Sequence, residues 1–329
     1  MKLQTQIPIK KETKNLIDYR SKILLLGSCF SENIGNKLNY FKFQTQQNPF
    51  GILFQPKAIE TFITNAINEK VYTEEDLVLE NERWHCFDAH STLSSSNKNE
   101  ILENLNTSIT STNKHIKEAS HIVITLGTSW VYRFIETDKL VANCHKIPQK
   151  KFLKEILSVD EITNSLQATI ALLKAENKEL NILFTVSPVR HLKDGFIENT
   201  QSKSHLISAI HNVIDKRKNI NYFPSYEIMV DVLRDYRYYD GDFVHPNNLG
   251  TNSVFEYFKS LCINPKSHEK MDAFYQLSLA KKHKAMHPKT NQHKAFLKAQ
   301  LKKAEKFALE NPNIDFREEI KHFESKIRN

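Results

Sequence analysis

Short apolar runs alternate with longer amphipathic stretches along the first two thirds of the chain. Helical spacing of the apolar residues predicts helices at about 31–40, 98–118, 159–177 and 198–218. Four runs have the length and apolar content of buried strands, and each ends at Gly or Pro or a Ser-Pro pair: residues 22–26, 121–126, 181–186 and 220–223. Such alternation favours a parallel sheet covered on both faces. We expect an α/β domain whose site lies beyond the carboxyl ends of the strands.

The pattern changes after Cys262, where lysine-rich stretches carry apolar residues at helical spacing. These stretches predict helices over residues 268–285, 290–309 and 316–327. We expect a domain over residues 1–263 and a basic helical extension over residues 264–329. The extension would pack on that domain or on a second copy of the chain, so a homo-oligomer formed through these helices is one expectation.

Composition narrows the class of protein. The chain has 329 residues, of which 40% are hydrophobic, and this is enough for a core. Its net charge is +8, but residues 264–329 hold 15 basic and only 8 acidic residues. The charge therefore belongs mainly to the extension, and we do not expect nucleic-acid binding from it alone.

Three further features indicate the compartment. No apolar run approaches the roughly 20 residues of a membrane helix. The first residues lack the apolar core of a secretory signal. The four cysteines contain no CxxC pair, which is typical of reduced thiols. We expect a cytoplasmic protein without membrane association.

The segment ILLLGSCFSENIG, residues 23–35, ends the first predicted strand and starts a helix. It places Ser28 and Cys29 on the turn between the two. The N-terminus of a helix offers backbone N–H groups and a positive dipole end, which lower the pKa of a thiol or stabilise an oxyanion. Both residues are therefore candidate nucleophiles. In the structural alternative, Ser28 caps the helix and Cys29 is a small buried apolar residue.

A second motif, YYDGDFVHPNNLG at residues 238–250, carries Asp242 three residues before His245. In a turn, an aspartate at this spacing can accept the Nδ1 proton of the imidazole and leave Nε2 free to act as a base. The alternative is a polar turn that caps the helix predicted to start near Asn247.

Together, a nucleophile after the first strand and an Asp-x-x-His pair near the end of the domain resemble the SGNH (GDSL-like) hydrolase superfamily. The chain is more closely similar to the GSCFA branch of that superfamily, whose motif stands here as GSCFS at residues 27–31. Other stretches similar to this branch lie at residues 125–132, 143–148, 186–191 and 222–246. The resemblance implies a three-layer α/β/α, flavodoxin-like domain with a central parallel sheet and acyl-ester chemistry.

The resemblance also implies roles for the two candidate nucleophiles. Aligned without gaps on the superfamily's first block, Cys29 takes the position of the nucleophilic serine, whereas Ser28 would act only from a shifted turn. Cysteine in this position favours transfer of an acyl group, such as O-acetyl, because a thioester is readily passed to an acceptor alcohol or amine. The expected function is ester hydrolysis or acyl transfer on a small-molecule or glycan acyl ester.

In the superfamily, the oxyanion hole uses the N–H of the nucleophile, a glycine of the second block and an asparagine of the third. Gly51 matches the second block, and Asn48 lies close to it in sequence. The third block is Gly127-Thr128-Ser129 and lacks the asparagine, so Ser129 or Asn48 would have to replace this donor. Loss of one donor can cost about 10²–10³ in rate. A catalytically degenerate binding or regulatory module therefore stays open as the alternative.

Two further groups of residues are weaker candidates for binding a substrate or a metal ion. Arg190 and His191 follow the third predicted strand, where they could bind a carboxylate or phosphate. The alternative is that they form salt bridges at the surface. Five possible metal ligands cluster in sequence but fit no standard zinc spacing, so we expect no metal and no cofactor: His85, Cys86, His90, Cys144 and His145.

Overall fold

The computed structural model of the protein describes residues 14–328. Strands in that range are β1 Lys22–Gly27, β2 Gln44–Gln47, β3 Leu77–Glu80, β4 Arg83–Cys86, β5 His121–Leu126, β6 Trp130–Phe134, β7 Lys139–Val141, β8 Phe152–Ile156, β9 Asn181–Val186 and β10 Ile220–Phe223. Five of them form a parallel sheet in the order β10-β9-β5-β1-β2. The four predicted strands are β1, β5, β9 and β10, and their prediction is confirmed.

Helices account for most of the remaining chain. They are α1 Cys29–Tyr40, α2 Pro56–Ile67, α3 Lys98–Glu118, α4 Val159–Glu176, α5 Phe196–Val213, α6 Ser225–Glu227, α7 Asn248–Cys262, α8 Pro265–Lys282, α9 Asn291–Glu310 and α10 Arg317–Arg328. The short α6 continues into a π-helical turn that ends at Val232. No helix within residues 14–328 has both the length and the apolar composition needed to cross a bilayer.

The helices cover both faces of the sheet. Since successive residues of a strand point to opposite sides, each strand contributes side chains to both layers of packing. On β1, Leu24 and Leu26 pack in one core with α2, α3, α4 and α5. Their neighbours Ile23 and Leu25 pack in the other core with α1, α7 and the three C-terminal helices. This arrangement confirms the expected three-layer α/β/α fold with a central parallel sheet.

The C-terminal helices share the second core with the sheet. Phe274 of α8 and Phe323 of α10 are buried in the same cluster as Phe255 of α7. Lys42, just after α1, forms an ion pair with the buried Glu319 of α10 at 3.0 Å. The extension therefore has an apolar face on the sheet side and exposes its basic residues.

Several parts of the fold differ from the prediction, and among them helix α2 was not predicted. The edge strand β2 has the polar sequence QTQQ and was not predicted, because an edge strand needs no apolar run. The small antiparallel sheets β3-β4 and β7-β6-β8 were also missed, since their strands are short. The helix predicted at 198–218 ends at Val213, where Asp215 caps a 3₁₀ turn and Asn219 adopts a left-handed conformation.

Gly27, the last residue of β1, offers a test of this geometry. Its φ is +130°, and a Cβ there would collide with the backbone of Thr125 on β5. We expect Gly27→Ala to lower the free energy of unfolding by about 1–3 kcal/mol or more, measured by urea denaturation. Gly241→Ala is the matched control, because no atom lies within 4 Å of the position of its Cβ. Equal denaturation midpoints for the two variants would contradict the expected strain.

Candidate active site

The topology of the sheet places one crevice at the end of β1. From β1 the chain moves to β2 on one side, whereas β5, β9 and β10 lie in sequence on the other side. A reversal of this kind opens a crevice beyond the carboxyl ends of the two strands that flank it, here β1 and β5. The segments that follow these strands begin at Ser28 and Gly127, so the Ser28-Cys29 turn and the Gly127-Thr128-Ser129 segment lie side by side.

Backbone hydrogen bonds hold the turn after β1. The N–H of Ser28 donates to the carbonyl of Thr125 at 3.1 Å, and the N–H of Gly27 donates to Oδ1 of Asn48 at 2.9 Å. The hydroxyl of Ser31 donates to the carbonyl of Leu26 at 2.9 Å. The turn is therefore tied to β5, to the segment after β2 and to the first turn of α1.

The two candidate nucleophiles have different environments on this turn. Ser28 is only 3% exposed, and its Oγ caps α1 by accepting the N–H of Phe30 at 3.2 Å. Cys29 is the first residue of the helix, is half-buried and lines an open cleft. Cys29 is thus the accessible one of the two. Ser28 caps the helix, as the structural alternative for this residue expected. The helix starts two residues earlier than predicted because Ser28 caps it.

Burial and the neighbouring groups have opposing effects on the pKa of the Cys29 thiol. Burial, the largest effect, raises the pKa of the thiol, and the carboxylate of Glu32 raises it further. The cation of Lys203 and the N–H groups of Phe30 and of Cys29 itself lower the pKa, but less. The expected net lowering by the helix N-terminus is therefore not found, because desolvation outweighs it.

Asp242 orients the ring of His245. Its Oδ2 accepts the Nδ1 proton at 2.6 Å, and its Oδ1 accepts the N–H groups of Val244 and His245 at 2.9 and 3.0 Å. These bonds, the one from the N–H of His245 first, lower the pKa of Asp242 to about 2. The carboxylate is thus ionised near neutral pH. Since the bond to Asp242 uses Nδ1, Nε2 of His245 has no partner among the described residues.

The loop that carries this pair is closed on itself. The N–H of Asp240 donates to the carbonyl of His245 at 2.8 Å, and Tyr239 pairs with Pro246 in an antiparallel bridge. Asn247 then caps α7 by accepting the N–H of Gly250 at 3.0 Å. The polar turn therefore caps a helix and also orients a histidine, so the two interpretations of this motif are compatible.

Cys29 and His245 line the same open cleft, which has a volume of about 1050 Å³. Its walls are formed by α1, the loop before α7, α7 itself and α8. The thiol and the imidazole are not hydrogen-bonded to each other in this structure. Catalytic hydrogen bonds are often long without substrate and shorten in the complex.

Three of the expected oxyanion donors are used within the protein. The N–H of Gly51 donates to the carbonyl of Asn48 at 2.8 Å, and that of Gly127 donates to the carbonyl of Phe54 at 2.7 Å. Ser129 donates through its amide to Oγ of Ser202 at 2.8 Å and through its hydroxyl to the carbonyl of that residue. These N–H groups of Gly51, Gly127 and Ser129 and the hydroxyl of Ser129 therefore already have partners within the protein.

Two expected donors keep free capacity. The N–H of Cys29 has no protein acceptor within residues 14–328, apart from its own sulfur. The Nδ2 of Asn48 donates to Oε1 of Glu32 at 3.3 Å, which leaves one of its two protons unused. Asn48 adopts φ +37°, a conformation that brings its side chain back onto the turn after β1.

Lys203 of α5 was missed by the sequence analysis. It is 1% exposed, and its Nζ donates to the carbonyls of Gly127 and Ser187 at 2.6 and 2.8 Å, at the ends of β5 and β9. Burial lowers its pKa to about 7, and Cys29 acts against this lowering. Its spacing from the buried Leu206 and Ile210 already placed this lysine on the apolar face of the helix, and that signal could have revealed it.

Arg190 and His191 also lie beside the site. Nη1 of Arg190 donates to the hydroxyl of Tyr239 at 3.5 Å, which connects the loop after β9 to the loop of His245. The ring of His191 lies 5.3 Å from that of Phe54, between centres. Burial first, and then the cation of Lys203, lower the pKa of His191 to about 4, so its ring is neutral at pH 7.

The remaining histidine and cysteine cluster has bonds within the protein. Nδ1 of His85 lies 2.6 Å from Oγ of Ser94, and Nε2 of His145 lies 2.8 Å from the carbonyl of Cys86. The two rings stack with centres 4.6 Å apart. These contacts give the histidines a structural role in joining β4 to the segment after β7. His90 packs instead on Gly51, near the first motif.

Two family models match the chain. That of the GSCFA family matches residues 22–258, which include the whole central sheet, Cys29 and His245. That of the "GSCFA domain protein, C-terminal domain" matches residues 276–329, from within α8 onward. No curated protein matches the chain.

Proposed function

The chain belongs to the GSCFA family, and we propose that it is an SGNH-like enzyme that hydrolyses acyl esters or transfers their acyl group through Cys29. One observation carries the proposal: an accessible cysteine at a strand–turn–helix junction shares a cleft with a histidine whose Nδ1 is held by an aspartate. A nucleophile, a base and a group that orients the base are the parts that covalent acyl chemistry needs.

In the first half-reaction, Nε2 of His245 accepts the thiol proton and the thiolate of Cys29 attacks the carbonyl carbon of the ester. The N–H of Cys29 and Nδ2 of Asn48 are the donors for the oxyanion that forms. When this intermediate collapses, the bond to the ester oxygen breaks, and the leaving alcohol takes the proton from the imidazolium. The acyl group is now a thioester on Cys29.

In the second half-reaction, His245 takes a proton from water or from an acceptor hydroxyl, whose oxygen attacks the thioester. Collapse breaks the carbon–sulfur bond, and the proton held by His245 returns to the sulfur. Water gives a free acid, whereas an alcohol gives a new ester. Asp242 stabilises the imidazolium in both halves and, with a pKa of about 2, stays ionised itself.

The walls of the cleft favour an uncharged acceptor that is rich in hydroxyl groups, such as a glycan. Four asparagines face it on two helices, Asn33 and Asn36 on α1 and Asn248 and Asn252 on α7, and their side chains have no partners among the described residues. Asparagine is disfavoured inside helices, so these positions are not explained by helix formation. Tyr275 of α8 adds an aromatic surface.

Charges in the same cleft are balanced between the two signs. Three lysines and three acidic residues line it: Lys37, Lys259, Lys282, Asp240, Glu256 and Asp272. Lys259 is paired with Asp272 at 3.4 Å, and Nζ of Lys282 lies over the ring of Tyr40, 5.3 Å from its centre. A strongly charged acceptor would gain little from such a lining. A hydroxyl group, in contrast, can donate to the oxygen of an asparagine amide or accept from its nitrogen.

The asparagines give a prediction on the acceptor. We expect the double variant Asn36→Ala/Asn252→Ala to lose about tenfold in acetyl transfer from p-nitrophenyl acetate to a soluble oligosaccharide, since two hydrogen bonds contribute about 0.5–1.5 kcal/mol each. Hydrolysis of the same donor without acceptor should be unchanged. Asn104→Ala, an exposed asparagine of α3 on the other face of the sheet, is the control. Equal loss in transfer and hydrolysis would contradict a role in acceptor binding.

A binding or regulatory module that has lost the chemistry is the second candidate. The observation that favours it is the internal use of the Gly51, Gly127 and Ser129 donors. Turnover of aryl and thioester acyl donors separates the two functions. The enzyme should release product in a way that depends on Cys29 and His245, whereas the module should bind without release.

A further inference from the structure

The C-terminal extension forms one wall of the cleft that holds Cys29 and His245. Four residues of α8 line this cleft at spacings of three and four, and therefore lie on one face of the helix: Asp272, Tyr275, Leu279 and Lys282. Two of them are large apolar side chains that stay open to solvent, since Tyr275 is 40% exposed and Leu279 is 41% exposed. The extension thus shapes the cleft as well as covering the core, and the proposed chemistry leaves this wall without a role.

The cleft extends along α1, away from the thiol. Its lining residues on this helix run from Cys29 through Asn33 and Asn36 to Tyr40, at spacings that place them on one face. Since an α-helix rises about 1.5 Å per residue, Cys29 and Tyr40 are separated by about 16 Å along the helix axis. The cleft therefore continues well beyond the point where an ester would react.

Aromatic rings meet at the end of the cleft that is distant from Cys29. The centre of the Tyr275 ring lies 6.1 Å from that of Tyr40 and 6.5 Å from that of Phe41. Phe41 in turn stacks on Phe255 of α7, with centres 5.7 Å apart. Phe255 is only 2% exposed, so the inner rings support Tyr275 and leave its own ring open. Helices α1, α7 and α8 together hold this distal aromatic surface.

The stretch between the thiol and the distal ring is polar, and this limits what can fill it. Asn33, Asn36 and Asn252 line it, and their side chains have no partners among the described residues. An alkyl chain that lay across these amides would remove them from water without offering a hydrogen bond, which is costly. A sugar chain offers hydroxyl groups to the amides and the apolar C–H face of a ring to an aromatic side chain.

The helical walls also argue against an extended peptide. Peptides in extended conformation commonly bind by pairing their backbone with the free edge of a strand. The residues that line this cleft lie on α1, α7, α8 and the loop before α7. The backbone groups inside a helix are already bonded to one another, so these walls offer no strand edge.

We propose that the cleft binds a glycan chain of several sugar units, with the reacting unit at Cys29 and a ring further along the chain stacked on Tyr275 of the extension. The inference rests on the proposed function, in which a glycan is the acyl acceptor. Tyr275 is a specificity residue: it contacts the chain far from the reacting atoms and takes no part in proton or acyl transfer. The enzyme selects chains over single sugars, because one sugar ring is too short to reach from Cys29 to Tyr275.

Binding measured without an acyl donor tests the inference on the full chain. The probes are N-acetylglucosamine and glucose as single sugars, and chitotetraose and cellotetraose as the matching uncharged chains, each titrated by isothermal calorimetry. We expect at least one chain to bind about tenfold tighter than its own monosaccharide, a difference of about 1.4 kcal/mol. Equal affinities of chain and monosaccharide in both pairs, or no binding of either chain, overturn the proposal.

Variants of Tyr275 test whether the distal ring is the one that binds. Tyr275→Ala should weaken binding of the chain about tenfold and leave the monosaccharide unaffected, whereas Tyr275→Phe keeps the ring and should bind as the unaltered protein does. Leu309→Ala is the matched control, because Leu309 lies on α9 of the same extension, is 84% exposed and is not part of the lining of the cleft. Equal affinities for the chain in folded Tyr275→Ala and Leu309→Ala overturn the proposal.

A peptide probe separates the alternative occupant. A ten-residue peptide of Gly, Ser and Asn is titrated in parallel, and tighter binding of this peptide than of both sugar chains, lost in Tyr275→Ala, overturns the proposal in favour of a peptide. Binding of a sugar chain that depends on Tyr275, in a protein that turns over no acyl donor, supports the distal site and contradicts only the proposed chemistry. Failure of the enzyme function and failure of the distal site are therefore distinguishable.

Discussion

Replacing Cys29 by alanine should lower the turnover of acyl donors by about 10³-fold or more, because the proposed covalent intermediate forms on its sulfur. Initial rates with p-nitrophenyl acetate and with a thioester donor measure the loss. Cys29→Ser is the conservative variant, and it should also be slow near neutral pH, since a serine hydroxyl is far less ionised than a thiol.

Ser28→Ala is the matched control for this loss. Its hydroxyl caps α1 and is buried, so its removal should cost about 0.5–2 kcal/mol of stability while most of the turnover remains. Thermal denaturation and initial rates on the same preparation separate the two effects. Full activity in Cys29→Ala, with loss in a folded Ser28→Ala, would contradict the assignment of the nucleophile.

The second large effect concerns His245. We expect His245→Ala to lower kcat by about 10²–10⁴-fold, the range that general acid–base catalysis contributes. Asp242→Asn should also lower kcat strongly, because an amide cannot fix the imidazole with its Nδ1 protonated and its Nε2 free. Steady-state kinetics at one pH with saturating donor measure both losses.

The pH dependence adds a check on this pair. The pKa of Asp242 lies near 2, well below its ordinary value of 3.8, so its carboxylate stays charged as long as the pH is above that range. Asp242 should therefore add no inflection to the rate profile between pH 5 and pH 9. The control for the Asp242→Asn variant is Asp231→Asn, since Asp231 is exposed and lies outside the lining of the cleft. Equal rates in Asp242→Asn and Asp231→Asn would contradict an orienting role.

Much of the fold could be predicted because burial on two faces leaves a clear signal. The strands β1, β5, β9 and β10 have apolar runs that end at residues with turn geometry, and these runs predicted the parallel sheet. The edge strand β2 escaped because its polar side chains are only half-buried. The strands of the small antiparallel sheets are three to five residues long, too short to show a period.

The site was predictable in part for a different reason. Ser28, Cys29, Asp242 and His245 interact with close neighbours in sequence, so spacing was informative. Nζ of Lys203 donates to the carbonyl of a residue far away in the chain, Gly127. The N–H of Gly51 is used in a local turn that only the backbone geometry shows. Long-range electrostatics and the use of backbone donors are properties of the folded chain, so one sequence did not reveal them.

The most direct test of the account is to trap the acyl group on the protein. The chain is mixed with p-nitrophenyl acetate, quenched in acid, and analysed by intact-mass and peptide mass spectrometry. The account predicts one acetyl group on Cys29, released by neutral hydroxylamine as expected for a thioester, and no acetyl group on the Cys29→Ala variant. An acetyl group on Ser28, or no acetylated protein with any aryl or thioester donor, would contradict it.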